Sequence, residues 1–354
     1  MFSQKIAQED ALSGQMESGQ ISTAKKSQFS DSSPSGIPSA SLGAIPSISL
    51  PKGGGSISSM GEKFDVSSAN GTGSVTIPIS ASPSRGGLGP NLSLCYNSGN
   101  GNGAFGVGWD LSVPNITRKT ALGLPIYQDG DDSDVFIISG AEDLVPLYKR
   151  DDRDEIVVDR TTGVPVIHEE LRDEHMIRRY SPRIEGAFLQ IERWTKTSSP
   201  NHVHWRVITP DNITSIYGRD ENSQIYDPCN HTETMRVFSW LLAEQFDTCG
   251  NAIIYRYKEE DSKGVSFDLA NERNRTDQIR SSNRYLNLIK YGNKSPNRDF
   301  GSWSAFSAFN LPDNEWMFTI AFDYGEYDEA LPKLNPSKQW TCRKDPFSSY
   351  RSGL

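Results

Sequence analysis

Short runs of alternating side chains, each closed by a turn residue, recur along nearly the whole chain. No long helical periodicity competes with them. In "SVTIPIS" (Ser74–Ser80), Val75, Ile77 and Ile79 fall on one face, and in "NLSLCYN" (Asn91–Asn97), Leu92, Leu94 and Tyr96 do the same. A period of two is the signature of a half-buried strand. Between these runs lies "ASPSRGGLGP", a dense cluster of turn formers, so the two are expected to pair antiparallel. The theme returns in "SDVFIISG", "EIVVDR", "GAFLQIERW", "HVHWRVITPDN", "TSIYGR", "RVFSWLLAEQFD", "NAIIYRYKEE", "RYLNLIKYGN" and "WMFTIAFDYGE". Val, Ile, Thr and aromatic residues dominate them, which suits a pleated, half-buried surface.

The expected fold is all-β: a large irregular antiparallel domain of curved sheets over residues 46–354. The best helical candidate, Asn271–Asn283, is nearly all polar and reads as a long solvated loop with one helical turn. Residues 1–45 are rich in Ser, Gln, Ala, Gly and Pro, with Phe2 and Phe29 as their aromatics. Such a segment buries too little apolar area to offset its ordering entropy, so a disordered tail is expected there.

The net charge is −9. No basic stripe is present to neutralise phosphates, which argues against nucleic acid and against anionic membrane surfaces as partners. No run reaches about 18 apolar residues, so insertion of a helix into a membrane is not expected. The opening "MFSQKIAQEDALSGQ" has no apolar core, so export would not use a cleavable signal peptide. Cys95, Cys229, Cys249 and Cys342 form no C-x-x-C pair and fit no zinc spacing; they read as reduced, packed thiols.

Several motifs touch on chemistry, and each has a plainer reading. Gly101-Asn102-Gly103-Ala104-Phe105-Gly106 matches the glycine pattern that cradles dinucleotide phosphates. That pattern must open a helix, because the pyrophosphate sits on the helix N-terminus. Here Gly106, Gly108 and Pro114 follow, so a glycine-rich hairpin is expected, leading into a strand with Phe105, Val107 and Trp109 on one face. Gln190-Ile191-Glu192 is a formal Gln-x-Glu pair, the carboxylate arrangement of ADP-ribosyltransferases. Its upstream Ser-Thr-Ser strand is missing, so an ordinary polar strand face is expected. His202 and His204 share one strand face without an evident third metal ligand. Asp129, Asp131 and Ser133 suggest a calcium loop but lack the later Gly and Glu. Trp194, Trp205, Trp240, Trp303, Trp316 and Trp340 could line a sugar site, although core packing is the commoner use of tryptophan. The aromatic segment Phe300–Trp316 is expected to pack on a neighbouring domain. No catalytic residue, cofactor or metal is expected.

A family resemblance rests on a series of blocks. Leu50-Pro51-Lys52-Gly53-Gly54-Gly55, then "GTGSVTIPISASPSRGGLGPNLSLCYNSGNGNGAFGVGWDLSVPNITRKTALGLPIY", resembles the opening of the Salmonella plasmid virulence protein B (SpvB) family. "RYSP", "IERW", "WLLAEQFDTCGNAIIYRY", "RYLNLIKYGN", "WMFTIAFDYGE" and "RKDPFSSYRSG" follow in the family's order. Asp247, Gly250-Asn251, Tyr255 and Tyr257 are also similar to one tyrosine–aspartate unit of Rhs-type proteins. The resemblance implies a non-enzymatic, β-rich component of a secreted toxin, like the B component of insecticidal toxin complexes. Such a component forms part of a shell that encloses a toxic polypeptide. It further implies partners among other toxin subunits or downstream domains, and an extracellular location or the cytoplasm of the producing or target cell. The alternative it leaves is the N-terminal, non-catalytic module of an actin-targeting ADP-ribosyltransferase. On either reading the domain is expected to continue past Leu354.

Overall fold

The computed structural model describes residues 63–66 and 71–339, apart from 122, 130–132, 140–141, 230–234, 271, 300–303, 306, 329–332 and 336. The expected tail at 1–45 therefore lies outside the described residues, which all belong to one compact unit, Ala40–Leu354.

The chain first builds a small antiparallel sheet. β1 (Lys63–Val66), β2 (Gly73–Ile79) and β3 (Leu92–Asn97) pair in sequence. Val75 faces Tyr96, Ile77 faces Leu94 and Ile79 faces Leu92, the register that the alternating pattern dictates. The glycine motif then forms a hairpin, β4 (Asn102–Gly103) against β5 (Gly106–Val107), with no helix behind it. β6 (Trp109–Leu111) returns to pair with β3. The expectation for Phe105, Val107 and Trp109 needs correction: Phe105 sits in the turn, and Gly108, at φ 79°, breaks the strand. A Cβ at Gly108 would lie 2.5 Å from the Tyr96 ring, so glycine is required there by space as well as by torsion.

A closed barrel follows. β7 (Asn115–Arg118), β8 (Phe136–Ile138) and β9 (Glu142–Pro146) form a meander, and the short β10 (Glu169–Arg172) pairs with the first half of β11 (His175–Pro182), whose second half pairs with β9. β12 (Gln190–Lys196), β13 (Ser199–Ile208) and β14 (Thr214–Tyr217) continue it; β15 (Gln224–Tyr226) and β16 (Val237–Phe246) complete it. Pairing runs β7-β8-β9-β11-β12-β13-β14-β16 and closes from β16 back to β7, so eight strands ring a common interior. β17 (Ala252–Glu259), β18 (Arg284–Asn293), the two-stranded β19 (Arg298–Asp299) and β20 (Ser304–Ala305), and β21 (Trp316–Ala321) come last. Of these, β17, β18 and β21 extend the sheet outward from the C-terminal half of β16.

An eight-stranded ring is just wide enough for side chains to fill. Here Phe136, Tyr180, Trp205 and Trp240 fill it, with ring centroids 5.0 to 6.1 Å apart and mostly edge-on. Trp205 is fully buried and Trp240 nearly so. Large rings meeting edge to face contribute both buried area and favourable quadrupole geometry. With Trp194 and Trp316 also buried, four of the six tryptophans considered for a sugar site are packed; Trp303 and Trp340 lie outside the described residues.

The polar end of this interior holds a charge cluster. Arg118 and Arg193 are both buried and converge on Asp129, with nitrogen–oxygen distances of 2.6 Å. The same Arg118 nitrogen also reaches Asp134 at 2.6 Å, and the other terminal nitrogen donates to Asp129 at 3.0 Å. Arg118 also lies over the rings of Phe136 and Trp240. The suggested calcium loop thus has another use: guanidinium groups occupy Asp129, and the Ser133 hydroxyl accepts from the Gln128 amide. Asp131 lies outside the described residues.

Two loops pack more than their composition suggests. The polar segment 271–283 contains the one helical turn, α1 (Asp277–Arg280), capped by Thr276. It is not solvated throughout, because Arg280 and Glu272 are buried and pair at 2.5 Å, while Arg275 reaches Glu260 at 2.6 Å. Part of Phe300–Trp316 packs on the chain's own sheet: Ala308 and Trp316 bury against Ala252 and Ile254. Cys229 and Cys249 are exposed, so the packed reading holds for neither; Cys95 is half-buried, and Cys342 lies outside the described residues.

Two outcomes test this frame. Gly218, at φ 66°, lies where an added Cβ would sit 2.1 Å from Trp240 Cδ1. Gly163, at φ 72°, has open space there. Gly163→Ala should cost about 1 kcal/mol from torsion alone. Gly218→Ala should cost about 3 kcal/mol by adding a clash with the core, as read by urea denaturation. The second outcome concerns Asp129. Burial pushes its carboxyl upward, but the hydrogen bond from Arg118 and the charges of Arg193, Arg118 and Arg178 outweigh this and hold it below the ordinary value. A depressed folded-state value stabilises the protein above the unfolded one, and that stability is lost as pH falls through the folded value. Asp129→Asn should therefore cost about 3 kcal/mol at neutral pH, and the gap to the parent should close below about pH 4.

Candidate functional site: a polar groove on the outer face of the barrel

Alternation that sends Trp205 inward sends its neighbours out. The outer face of β11 to β16 carries a transverse row set by strand register: Arg179 opposite Glu192, Glu192 opposite Arg206, Arg206 opposite Ile216, and Ile216 opposite Glu244. Opposite charges across neighbouring strands stabilise the sheet.

The carboxylates in this row are fully engaged. Glu192 is buried; it accepts from Gln190 Nε2 at 2.6 Å and from the Trp194 indole at 2.9 Å. The Gln-x-Glu pair does share a strand face, but its glutamate is spent on these contacts and on Arg179 at 3.6 Å. Glu244, also buried, accepts from Arg219 and from the Ala308 amide, each at 2.7 Å.

Arg206 is different. Its guanidinium lies 3.7 Å above the centre of the Trp194 ring, a cation–π stack. Its buried Nε has no hydrogen-bond partner, and no carboxylate of the described residues pairs with it. Burial pulls its proton affinity below the ordinary arginine value, opposed by Glu192.

Beside Arg206 runs an open groove of about 630 Å³. His202, His204 and Arg206, alternate residues of β13, are among its lining; His175 and Lys196 from β11 and β12 wall one side, and Gly218–Glu221 with Gln224 wall the other. The His204 ring stacks on Trp194 at 5.8 Å and meets His175 at 5.7 Å. Burial, and then the charges of Arg206, His175 and Arg219, push the His204 imidazole down to about 3, so it is neutral at physiological pH. The histidine pair is thus joined by a third, His175, yet no group of three or more His, Cys, Asp or Glu among the described residues is arranged to hold a metal ion.

Sequence alone placed His202 and His204 on one face but missed Arg206, which sits two residues on in the same alternation. Nothing in its neighbours' spacing showed that Glu192 would be claimed elsewhere. His175 and Lys196 are brought in by pairing with strands remote in sequence.

The glycine motif lines a second groove, of about 550 Å³, together with Trp109, Tyr257, Tyr285 and Tyr324. Its tyrosine hydroxyls are already committed: Tyr257 donates to the Leu242 carbonyl at 2.8 Å and Tyr324 to the Leu286 carbonyl at 2.9 Å. The glycines serve backbone turns, and no helix N-terminus stands behind them to hold a phosphate.

The fold and sequence are shared with known proteins. The sequence profile described as Salmonella virulence plasmid 65kDa B protein matches residues 67–354. The mono(ADP-ribosyl)transferase SpvB of Salmonella choleraesuis (strain SC-B67) is 33% identical over 322 residues, covering 90% of this chain and 50% of its own length. The chain therefore spans about half the length of the curated relatives it matches. Among solved structures, the N-terminal domain of effector protein SpvB from Salmonella typhimurium strain LT2 superposes with a TM-score of 0.62 at 32% identity, over 79% of this chain and 82% of that one. TcdB2-TccC3 superposes with a TM-score of 0.66 at 30% identity, over 87% of this chain and 14% of that one. A closed barrel with a branching sheet, matched across nearly its whole extent, settles the lineage: the chain belongs to the Salmonella virulence plasmid 65kDa B protein family and corresponds to its N-terminal domain.

Proposed function

We propose that this chain is a non-catalytic structural module of a secreted protein toxin and forms part of a β shell that encloses or presents a toxic partner. The observation that carries the reading is the extended superposition on TcdB2-TccC3 at 30% identity, where the matched region is 14% of a much longer chain. The architecture supports it. The barrel is solid, its interior taken by Phe136, Tyr180, Trp205 and Trp240, so it has no lumen for cargo. Surface for a wall comes instead from β17, β18 and β21, which spread from the barrel as a broad sheet.

The turn between β16 and β17 supports a Rhs-like continuation. Asp247 accepts from the amides of Cys249 and Asn251, Gly250 takes φ 79°, and the backbone amide of Asn297 reaches back to the Gly250 carbonyl. Partners on this reading are other toxin subunits or downstream domains, with residues 46–354 as one domain. The protein works outside the producing cell and reaches the cytoplasm of a target cell. A second reading is favoured by the match to mono(ADP-ribosyl)transferase SpvB: the chain is the non-catalytic N-terminal module of such an enzyme.

A chimera separates the two. The matched segment of TcdB2-TccC3 is replaced by this chain, and protease resistance of the enclosed polypeptide is measured. The shell reading expects resistance within about threefold of the parent complex. A folded chimera whose polypeptide is cleaved as fast as the free polypeptide overturns it and leaves the transferase module.

A further inference from the structure

We propose that the groove along the outer face of β13 is a binding site for a phosphate group, with Arg206 as its anchor and Lys196, His175, His202 and His204 around it. The proposal is independent of the shell reading, because it concerns a local surface.

Arg206 is a half-buried cation that no carboxylate of the described residues pairs with. A guanidinium taken out of water normally finds a carboxylate, because burying an unpaired charge is costly. Arg206 is flanked in register by Glu192, but that carboxylate is saturated by Gln190, Trp194 and Arg179. On the other side the register partner is the apolar Ile216, and Glu244 beyond it acts on Arg206 only at a distance, being bonded to Arg219 and the Ala308 amide. The guanidinium is instead held flat on Trp194, which fixes the plane of its fork. A fixed fork is the element that recognises oxyanions.

Two further observations point into the same groove. Positive charge exceeds its local counter-charge there: burial, and then the charges of Arg206, His175 and Arg219, disfavour protonation of His204, although Arg219 is itself paired with Glu244. A bound anion would remove that frustration. Gln224, buried to 4% exposure, lines the groove; its amide nitrogen donates to the carbonyls of Val203 and Gly218, and its Oε1 has no partner. That orphan oxygen is an unmet acceptor buried in the groove's wall.

The donor set favours phosphate over carboxylate. Lys196, the Ser198 and Ser199 hydroxyls and the Asn201 amide lie along the rim in addition to the arginine fork, more donors than two carboxylate oxygens arrange around themselves. Lys196 is partly held by Glu174 at 3.3 Å, and Asp220 is occupied in capping Ser223 at 2.9 Å. Glu221 is the remaining acid on the rim and is exposed. A volume of about 630 Å³ admits a phosphate ester as readily as inorganic phosphate.

The test uses the 354-residue chain with its histidines labelled with nitrogen-15, titrated with inorganic phosphate, ribose 5-phosphate and acetate at constant ionic strength. Saturable shifts of His175, His202 and His204, with His168 unmoved, are expected from the two phosphates. Tighter binding of the ester assigns the site to a phosphorylated molecule, and equal binding assigns it to free phosphate. Arg206→Gln should weaken binding at least tenfold, and Lys196→Gln, at a half-exposed position that folding does not need, about threefold. Shifts that rise linearly without saturation, equal binding of acetate, or an Arg206→Gln or Lys196→Gln chain that is folded and titrates like the parent would each overturn the proposal.

Discussion

The structure depends on one strand with more neighbours than a strand ordinarily has. β16 pairs with β7 and β15 along its first half, and with β14 and β17 along its second. β7 and β14 on its two sides close the barrel, while β17 opens the sheet that leaves it. A ten-residue strand can do this only if both faces are buried over most of its length, and Val237 to Glu244 are, apart from the half-buried Phe238. An unclosed sheet would leave edges with unpaired backbone groups, which invite aggregation. Here closure removes the barrel's edges, and the branch carries the remaining edge away to β21.

Closure also divides side chains into two chemistries. Inside, the constraint is volume, and four aromatic rings with two arginines meet it. The buried arginines are tolerable because Asp129 and Asp134 neutralise them and the ring faces receive them. Outside, the constraint is charge balance across strand register, met at Glu192 and Glu244 and left open at Arg206. A module whose interior is sealed can act only through its surfaces. That is consistent with a part in an assembly and concentrates any ligand chemistry on the outer face.

Much of the fold was legible in the sequence, because a period of two is a local property. The pairing of "SVTIPIS" with "NLSLCYN" appears in the register read from alternation, and the glycine motif is a hairpin because helix-breaking residues follow it. Polar composition was a poorer guide. The segment 271–283 reads as solvated, yet Arg280 and Glu272 are buried because Glu260, from outside the segment, joins Arg275 and Arg280 in a charge network. Phe300–Trp316 reads as an orphan surface, yet its described part covers Ala252 and Ile254 of its own sheet.

Sequence by itself determined the β class, the main strand runs, the hairpins and the outward face shared by His202 and His204, since these follow from torsional preference and alternation between near neighbours. Tertiary structure alone decided that eight strands close into a ring, that Asp129 meets arginines rather than calcium, and that Arg206 is left without a carboxylate. Those outcomes depend on which distant strand lies alongside. Pairing partners are selected by the packing of the whole interior, and no short stretch of residues encodes that.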